Sequence, residues 1–206
     1  MSANALPPPL PRDYYTQPTL DLARDLLGKT LWRRADAGVV AGIIVETEAY
    51  IAAIDPASHN YGRPSPRAAT MFGPPGYAYV YLNYGMHYCL NVVAGPEGHS
   101  EAVLLRALLP THGREIMAAR CPKTALRDLC RGPGRIGRAL ALSLADNGAD
   151  LAGDALWISE TPDAQLLAPE MIGTSTRIGI SRGTDLPWRF FIRNCPAVSG
   201  PARLNR

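Results

Sequence analysis

The spacing of apolar positions changes several times along the chain. Leu22, Ala23, Leu26 and Leu27 recur at helical intervals behind Thr19, a candidate N-cap, and Gly28 supplies a stop. "TLWRR" and "GVVAGIIVETEAY" then predict successive strands with a turn near Asp36 to Gly38. "YAYVYLNYGMHYCLNVVA" predicts a β-hairpin turning at Asn83, Tyr84 and Gly85, and "EAVLLRALLP" is apolar enough to be a buried strand with Arg106 near its end. Helical patterns return in "THGREIMAARC" and "GPGRIGRALALSLA", while "DALWISE", "TRIGISRG" and "PWRFFIRNCP" close the chain as strands and turns. Between the second strand and the hairpin, "DPASHNYGRPSPRAATMFGPPG" holds too much Gly, Pro and Ser for regular structure. Loops of that length inside a compact domain tend to be functional.

One strand breaks the usual pattern of a core strand. Residues two apart share a face, so Glu46, Glu48 and Tyr50 project together while Val45, Thr47 and Ala49 take the other side. Either that face is solvated, or one carboxylate orients a water as a general base, a role needing geometry and an ionised side chain. Position alone does not choose between Glu46 and Glu48. Adding Asp55 and His59 would make a set of metal-type donors, but their spacing matches no ligand motif, so no metal is expected.

The tyrosines carry a second signal. Tyr77, Tyr79 and Tyr81 share a strand face, either as core packing or as a flat surface on which a planar base could stack. Tyr84, at a hairpin tip, is not obviously core, and an exposed ring beside a basic surface is how minor-groove proteins pry base pairs apart. A stacking face, a wedge and a carboxylate together suggest base flipping followed by chemistry on the flipped nucleotide. "RGPGRIGRAL" lacks the Lys-Ser/Thr of a nucleotide-binding P-loop, but its helix start, with Arg135 and Arg138, could hold a DNA phosphate.

Composition narrows the class. The 206 residues, 47% hydrophobic and 19% charged, suit one soluble domain, expected over residues 18–206 behind a flexible N-terminal arm at 1–17. No run is long and apolar enough for a membrane span and the first residues do not read as a secretory signal, so a cytoplasmic protein is expected. Cys89, Cys121, Cys130 and Cys195 lack paired spacing and read as free thiols. The net charge is only +3, yet the stretch from Ala102 to Arg138 holds eight Lys/Arg against two acids, and Arg177 onward six arginines against Asp185 alone. Ala139 to Thr176 is the reverse, with six acids and no Lys or Arg. Such segregation suggests a basic face for a polyanion, unless folding mixes the charges.

"VETEAY", "SHNYGRPSPRAATMF", "YVYLNYGMHYCLNVV" and "AVLLRAL", flanked by "LARDLLGKTL" and "RIGISRGTDLPWRFF", together resemble the alkyladenine (3-methyladenine, or methylpurine) DNA glycosylases over about Leu20 to Ser199. The resemblance implies a mixed α/β (α+β) single domain with a curved, mainly antiparallel sheet, flanking helices and a protruding β-hairpin. It also implies a monofunctional glycosylase that flips alkylated or deaminated purines out of duplex DNA from the minor groove. The enzyme would act as a monomer without cofactor, hydrolysing the N-glycosidic bond to leave an abasic site. Glu48 then corresponds to the general base and Arg106 to the arginine beside it and its water. Tyr50 and Tyr81 correspond to the two stacking rings, His59 to a pocket residue touching the base and the nucleotide backbone, and Asn91 to the amide that would clash with a guanine amine. Tyr84 corresponds to the wedge, with Met86 and His87 beside it on the DNA side. The chain departs from some family members in having His87 rather than another aromatic, and from vertebrate relatives in a shorter loop after His59. Both bear on the range of lesions more than on the reaction.

Overall fold

The computed structural model describes residues 5–161 and 168–205; residues 1–4 of the expected arm, and Arg206 of the basic C-terminal run, lie outside these. The described chain is one mixed α/β domain built on a single curled sheet, in which every strand pair is antiparallel. Strands β1 (Thr30–Ala35), β2 (Gly38–Ile51), β3 (Ala78–Asn83), β4 (His87–Val93), β5 (Glu101–His112) and β6 (Leu156–Ser159) lie in the order β3-β4-β5-β2-β1-β6. β8 (Arg189–Ile192) also pairs with β2 and carries β7 (Ile172–Ser175) on its other edge.

The length of β2 organises the sheet. Its first half pairs with β1, its residues Glu46 to Glu48 pair with β8, and β5 runs along its opposite edge. The β2–β5 register slips between Ile44 and Glu46 and again between Glu46 and Thr47, leaving Val45 and Arg106 as extra residues on their strands. Such bulges bend a sheet and re-aim side chains. Here they put the Arg106 side chain against both glutamates. Beyond the slip the alternation expected from sequence holds: the Thr47 hydroxyl donates to the Ala23 carbonyl of α1 (Thr19–Asp25) at 2.6 Å, while Glu46 and Glu48 point the other way. α1 buries Leu22 and Ala23 completely on that helical side, and Gly28 follows with φ 80°, the left-handed conformation a helix stop requires. Thr19 is not the N-cap: Pro18 holds that place, and the Thr19 hydroxyl bonds Glu101 instead.

Two further expectations change. The segment read as a flexible arm is docked from Leu10 onward: Leu10 is buried and donates its amide to Ile158 at 2.7 Å, and Tyr15 is fully buried in the core. Its Pro and Ala content signalled low propensity for helix or strand, but the apolar residues among them found a surface. "TRIGISRG" forms no strand; the strand that pairs with β8 lies earlier, at Ile172–Ser175.

The glycine-rich segment becomes α3 (Pro133–Ala139), which follows α2 (Arg114–Arg120) and packs on β4. A Cβ at Gly137 would lie 2.1 Å from the Tyr88 carbonyl oxygen, and one at Gly134 would lie 2.7 Å from the His87 ring. These glycines let the helix backbone approach the hairpin. At the hairpin tip Tyr84 and Gly85 both have positive φ (50° and 68°), the signature of a type I′ turn, so a non-glycine residue is held in a left-handed conformation at its most exposed point.

Charge segregation along the sequence is mixed by folding. Acids of the Ala139–Thr176 stretch pair with cations from the first third of the chain, Asp146 with Arg33, Asp150 with Arg12 and Glu160 with Lys29. Arg106, Arg177 and Arg189 of the basic stretches are buried.

Candidate active site

Direct pairing across β3, β4, β5, β2 and β8 aligns Tyr79, Asn91, Leu104, Glu48 and Arg189 in one row on the sheet. Paired residues share a face. Tyr81 is paired with Cys89 in the same hairpin, two residues beyond Tyr79 and so on its side. Over this row opens a cavity of about 430 Å³, within the usual range for small-molecule sites. Its wall includes Tyr50, His59, Tyr79, Tyr81, Asn91 and Arg106, with the backbone segment from Ile178 to Arg182 closing one side and Tyr84 at the rim.

Two buried glutamates stand behind that wall. Glu46 accepts from Arg106 Nε (3.0 Å), Arg189 Nε (2.7 Å), the Ser199 amide (2.7 Å) and the Ser199 hydroxyl (3.0 Å). Burial opposes its ionisation, but the two guanidiniums and these donors prevail and hold its pKa below the usual carboxylate range. Glu48 accepts from the Ile178 amide (2.7 Å), the Tyr50 hydroxyl (2.8 Å) and Arg106 Nη1 (3.3 Å). Burial is the stronger influence there and pushes the Glu48 pKa up, against the pull of Arg106 and the two hydrogen bonds. Neighbouring carboxylates are thus driven in opposite directions, the pattern that separates a fixed ion from a group able to exchange a proton. Glu48 adds no surface to the cavity wall; the groups bonded to it, Tyr50, Arg106 and Ile178, do.

The aromatic lining is ordered by polar contacts. His59 Nδ1 lies 2.8 Å from the Tyr79 hydroxyl, and burial together with the nearby Arg67 cation lowers the pKa of the imidazole. Tyr79 and Tyr81 are stacked at 5.3 Å, and the His59 ring meets Tyr81 edge-on at 4.6 Å. Asn91 is held by its amide donating to the Tyr79 carbonyl at 3.0 Å. Behind Tyr50 lies the Arg177 guanidinium, 4.6 Å from the ring centroid and 5.4 Å from that of Trp188. Arg177 is itself locked by Asp55 through contacts of 2.5 and 2.7 Å.

The structure therefore brings together Glu48, Arg106, Tyr50, His59, Tyr81 and Asn91. Tyr84 and Met86 are exposed at the hairpin tip, at 79% and 68%. His87 is turned against Gly134 of α3, Arg135 lies beside Asp128, and Arg138 is exposed on the same helix. Among the described residues no three His, Cys, Asp or Glu side chains form a metal-binding group; Asp55 faces Arg177 and His59 faces Tyr79. Arg177, Ile178, Arg189 and Ser199 were not singled out from the sequence. Their only signal was the unusual density of arginine in the last strand region, read as surface charge.

An aromatic-walled cavity backed by an arginine-held carboxylate suits a hydrolase that takes a planar heterocycle. Comparison with known proteins makes the class specific: the model of the methylpurine-DNA glycosylases matches residues 13–196, and the chain belongs to that family. Members are N-glycosyl hydrolases that act in the repair of alkylated DNA. Similar proteins provisionally named 3-methyladenine DNA glycosylases occur in Burkholderia lata, Chlorobaculum tepidum and Frankia casuarinae. The first is 49% identical over 193 residues, spanning 93% of this chain and 91% of the relative. The second is 47% identical over 188 residues (91% and 88%), and the third 46% over 197 residues (92% and 91%). Among the described residues no helix is long and apolar enough to cross a membrane.

Proposed function

We propose that this protein is a monofunctional DNA glycosylase that flips an alkylated or deaminated purine from duplex DNA into the cavity and hydrolyses its N-glycosidic bond with water activated by Glu48. The observation that carries the reading is a buried carboxylate of raised pKa, bonded to Arg106, Tyr50 and the Ile178 amide directly behind an aromatic cavity. The flipped base would stack on Tyr50 on one side and on Tyr81 and His59 on the other. Asn91, held by its bond to the Tyr79 carbonyl, would clash with the exocyclic amine of guanine. The bond between C1′ and the purine nitrogen breaks with its electron pair leaving on the base, and water attacks the cation-like sugar carbon. Glu48 takes the water's proton, and its negative charge stabilises the sugar cation in the transition state. Three donors leave one acceptor site of the Glu48 carboxylate open, but the group has no exposed surface, so the water would reach it past the Tyr50 and Arg106 side chains that cover it on the cavity side. Tyr84 and Met86, exposed on a strained turn, would fill the gap left in the duplex from the minor groove, and Arg135 and Arg138 would meet phosphates. The enzyme would work as a monomer and, if bacterial, with the nucleoid in the cytoplasm.

The direct check is single-turnover incubation with duplex oligonucleotides carrying 3-methyladenine, 7-methylguanine, hypoxanthine or ethenoadenine, followed by alkali. Strand breaks at the modified position are expected for at least one of them. Tight binding to abasic or bulged duplex with no alkali-labile product from any lesion would instead make the protein a binder of distorted DNA.

A further inference from the structure

Both candidate stacking rings have a guanidinium over them, and the two are not equivalent. Arg177, over Tyr50, is neutralised by its two contacts with Asp55. Arg67, whose guanidinium carbon is 5.0 Å from the Tyr81 ring centroid, meets no carboxylate among the described residues; its terminal nitrogen donates to the Leu82 carbonyl. It is exposed and does not line the cavity, so it acts on the Tyr81 ring from outside the wall's own surface.

The charges behind the site are paired, Glu46 and Glu48 with Arg106 and Arg189 and Asp55 with Arg177, whereas exposed Arg182, at one side of the cavity, meets no carboxylate among the described residues. Arg67 therefore adds an uncompensated positive charge beside Tyr81, and its field also reaches His59, which it helps keep neutral. An aromatic face attracts a cation through its quadrupole. A second cation already held over the same ring opposes that attraction, while the stacking of a neutral base is little changed.

We propose that Arg67 is a specificity-determining residue that weights the cavity against positively charged purines relative to neutral ones. The proposal rests on the glycosylase reading above. It separates purines ionised by alkylation of a ring nitrogen from those changed by deamination or by a neutral adduct. Through an exposed guanidinium one ring away, solvent screening limits the effect, and a discrimination of roughly three- to tenfold is expected.

The experiment compares single-turnover excision of 3-methyladenine, a cation, with that of hypoxanthine, which is neutral, by wild type, Arg67→Gln and Arg67→Lys. Arg67→Gln should raise the ratio of cationic to neutral excision by roughly three- to tenfold, and Arg67→Lys, which keeps the charge, should hold the wild-type ratio. Thermal melts of all three proteins should coincide. If Arg67 served only as a phosphate contact, Arg67→Gln would slow both substrates equally and weaken binding to undamaged duplex. A ratio unchanged in Arg67→Gln, with or without such a uniform loss, overturns the proposal. Where wild type does not release one of the pair, 7-methylguanine serves as the cation or ethenoadenine as the neutral base; failure to release any of the four lesions overturns instead the glycosylase reading on which it rests.

Discussion

Replacing Glu48 with glutamine separates catalysis from stability, because the two consequences have opposite origins. A positioned general base contributes roughly 10²- to 10⁴-fold to rate. At about 1.36 kcal/mol per factor of ten, that is about 2.7–5.5 kcal/mol of transition-state stabilisation that Glu48→Gln should remove. Glutamine has the same shape, its amide oxygen can still accept from the Ile178 amide, and Arg106 keeps Glu46. Stability at pH 7 should therefore stay within about 1 kcal/mol of wild type or improve, since a desolvated charge has been removed. The sign follows from the raised pKa of Glu48. With the folded pKa above the unfolded value of about 4.3, the group favours folding below the unfolded pKa, and that contribution is lost as pH rises through the folded pKa. Any advantage of Glu48→Gln should consequently shrink as the pH is lowered toward 4.

Single-turnover excision and urea denaturation at pH 5 and pH 8 measure both effects. For wild type the same raised pKa predicts a rate that climbs with pH as Glu48 loses its proton. Excision by Glu48→Gln within tenfold of wild type would refute the role of the carboxylate. A well-folded variant is equally necessary: collapse of the fold would mean that Glu48 is an anchor, as Glu46 is.

Other substitutions probe the supports. Glu46→Gln should cost about 3–5 kcal/mol in chemical denaturation, because it breaks a buried pairing with Arg106 and Arg189. Since the Glu46 pKa is depressed, its stabilisation is present above the unfolded pKa and lost as pH falls through the folded one; a cost under 1 kcal/mol at pH 7 would contradict this. Tyr84→Ala, at a site 79% exposed, should leave the melting temperature unchanged but slow excision from intact duplex more than from mispaired DNA; equal losses on both would remove the wedge. Gly137→Ala, which places a methyl 2.1 Å from the Tyr88 carbonyl oxygen, should destabilise by about 1–3 kcal/mol, and a melting temperature equal to that of wild type would show that α3 can shift freely.

Much of this was legible in the linear chain because strand alternation is a local rule. The common face of Glu46, Glu48 and Tyr50, the hairpin with its exposed tyrosine, and the long irregular loop follow from residue type and period alone. Family resemblance added the choice of Glu48 over Glu46. Folding supplied what no local rule contains. Arg177 and Arg189 looked like surface charge, and Arg106 was set beside Glu48 by the resemblance alone; the three became the buried counter-ions of Glu46, Glu48 and Asp55 because β5, the segment after β7 and β8 all reach β2 and its loop. The opposed pKa shifts of Glu46 and Glu48 are likewise tertiary: identical side chains two residues apart differ because one meets two guanidiniums and the other one guanidinium and a dry wall. The sequence by itself determined which side chains share a strand face; only the three-dimensional pairing of distant charges decided that the Glu46 pKa is lowered and the Glu48 pKa raised, since desolvation and Coulomb attraction depend on distance in space, not along the chain.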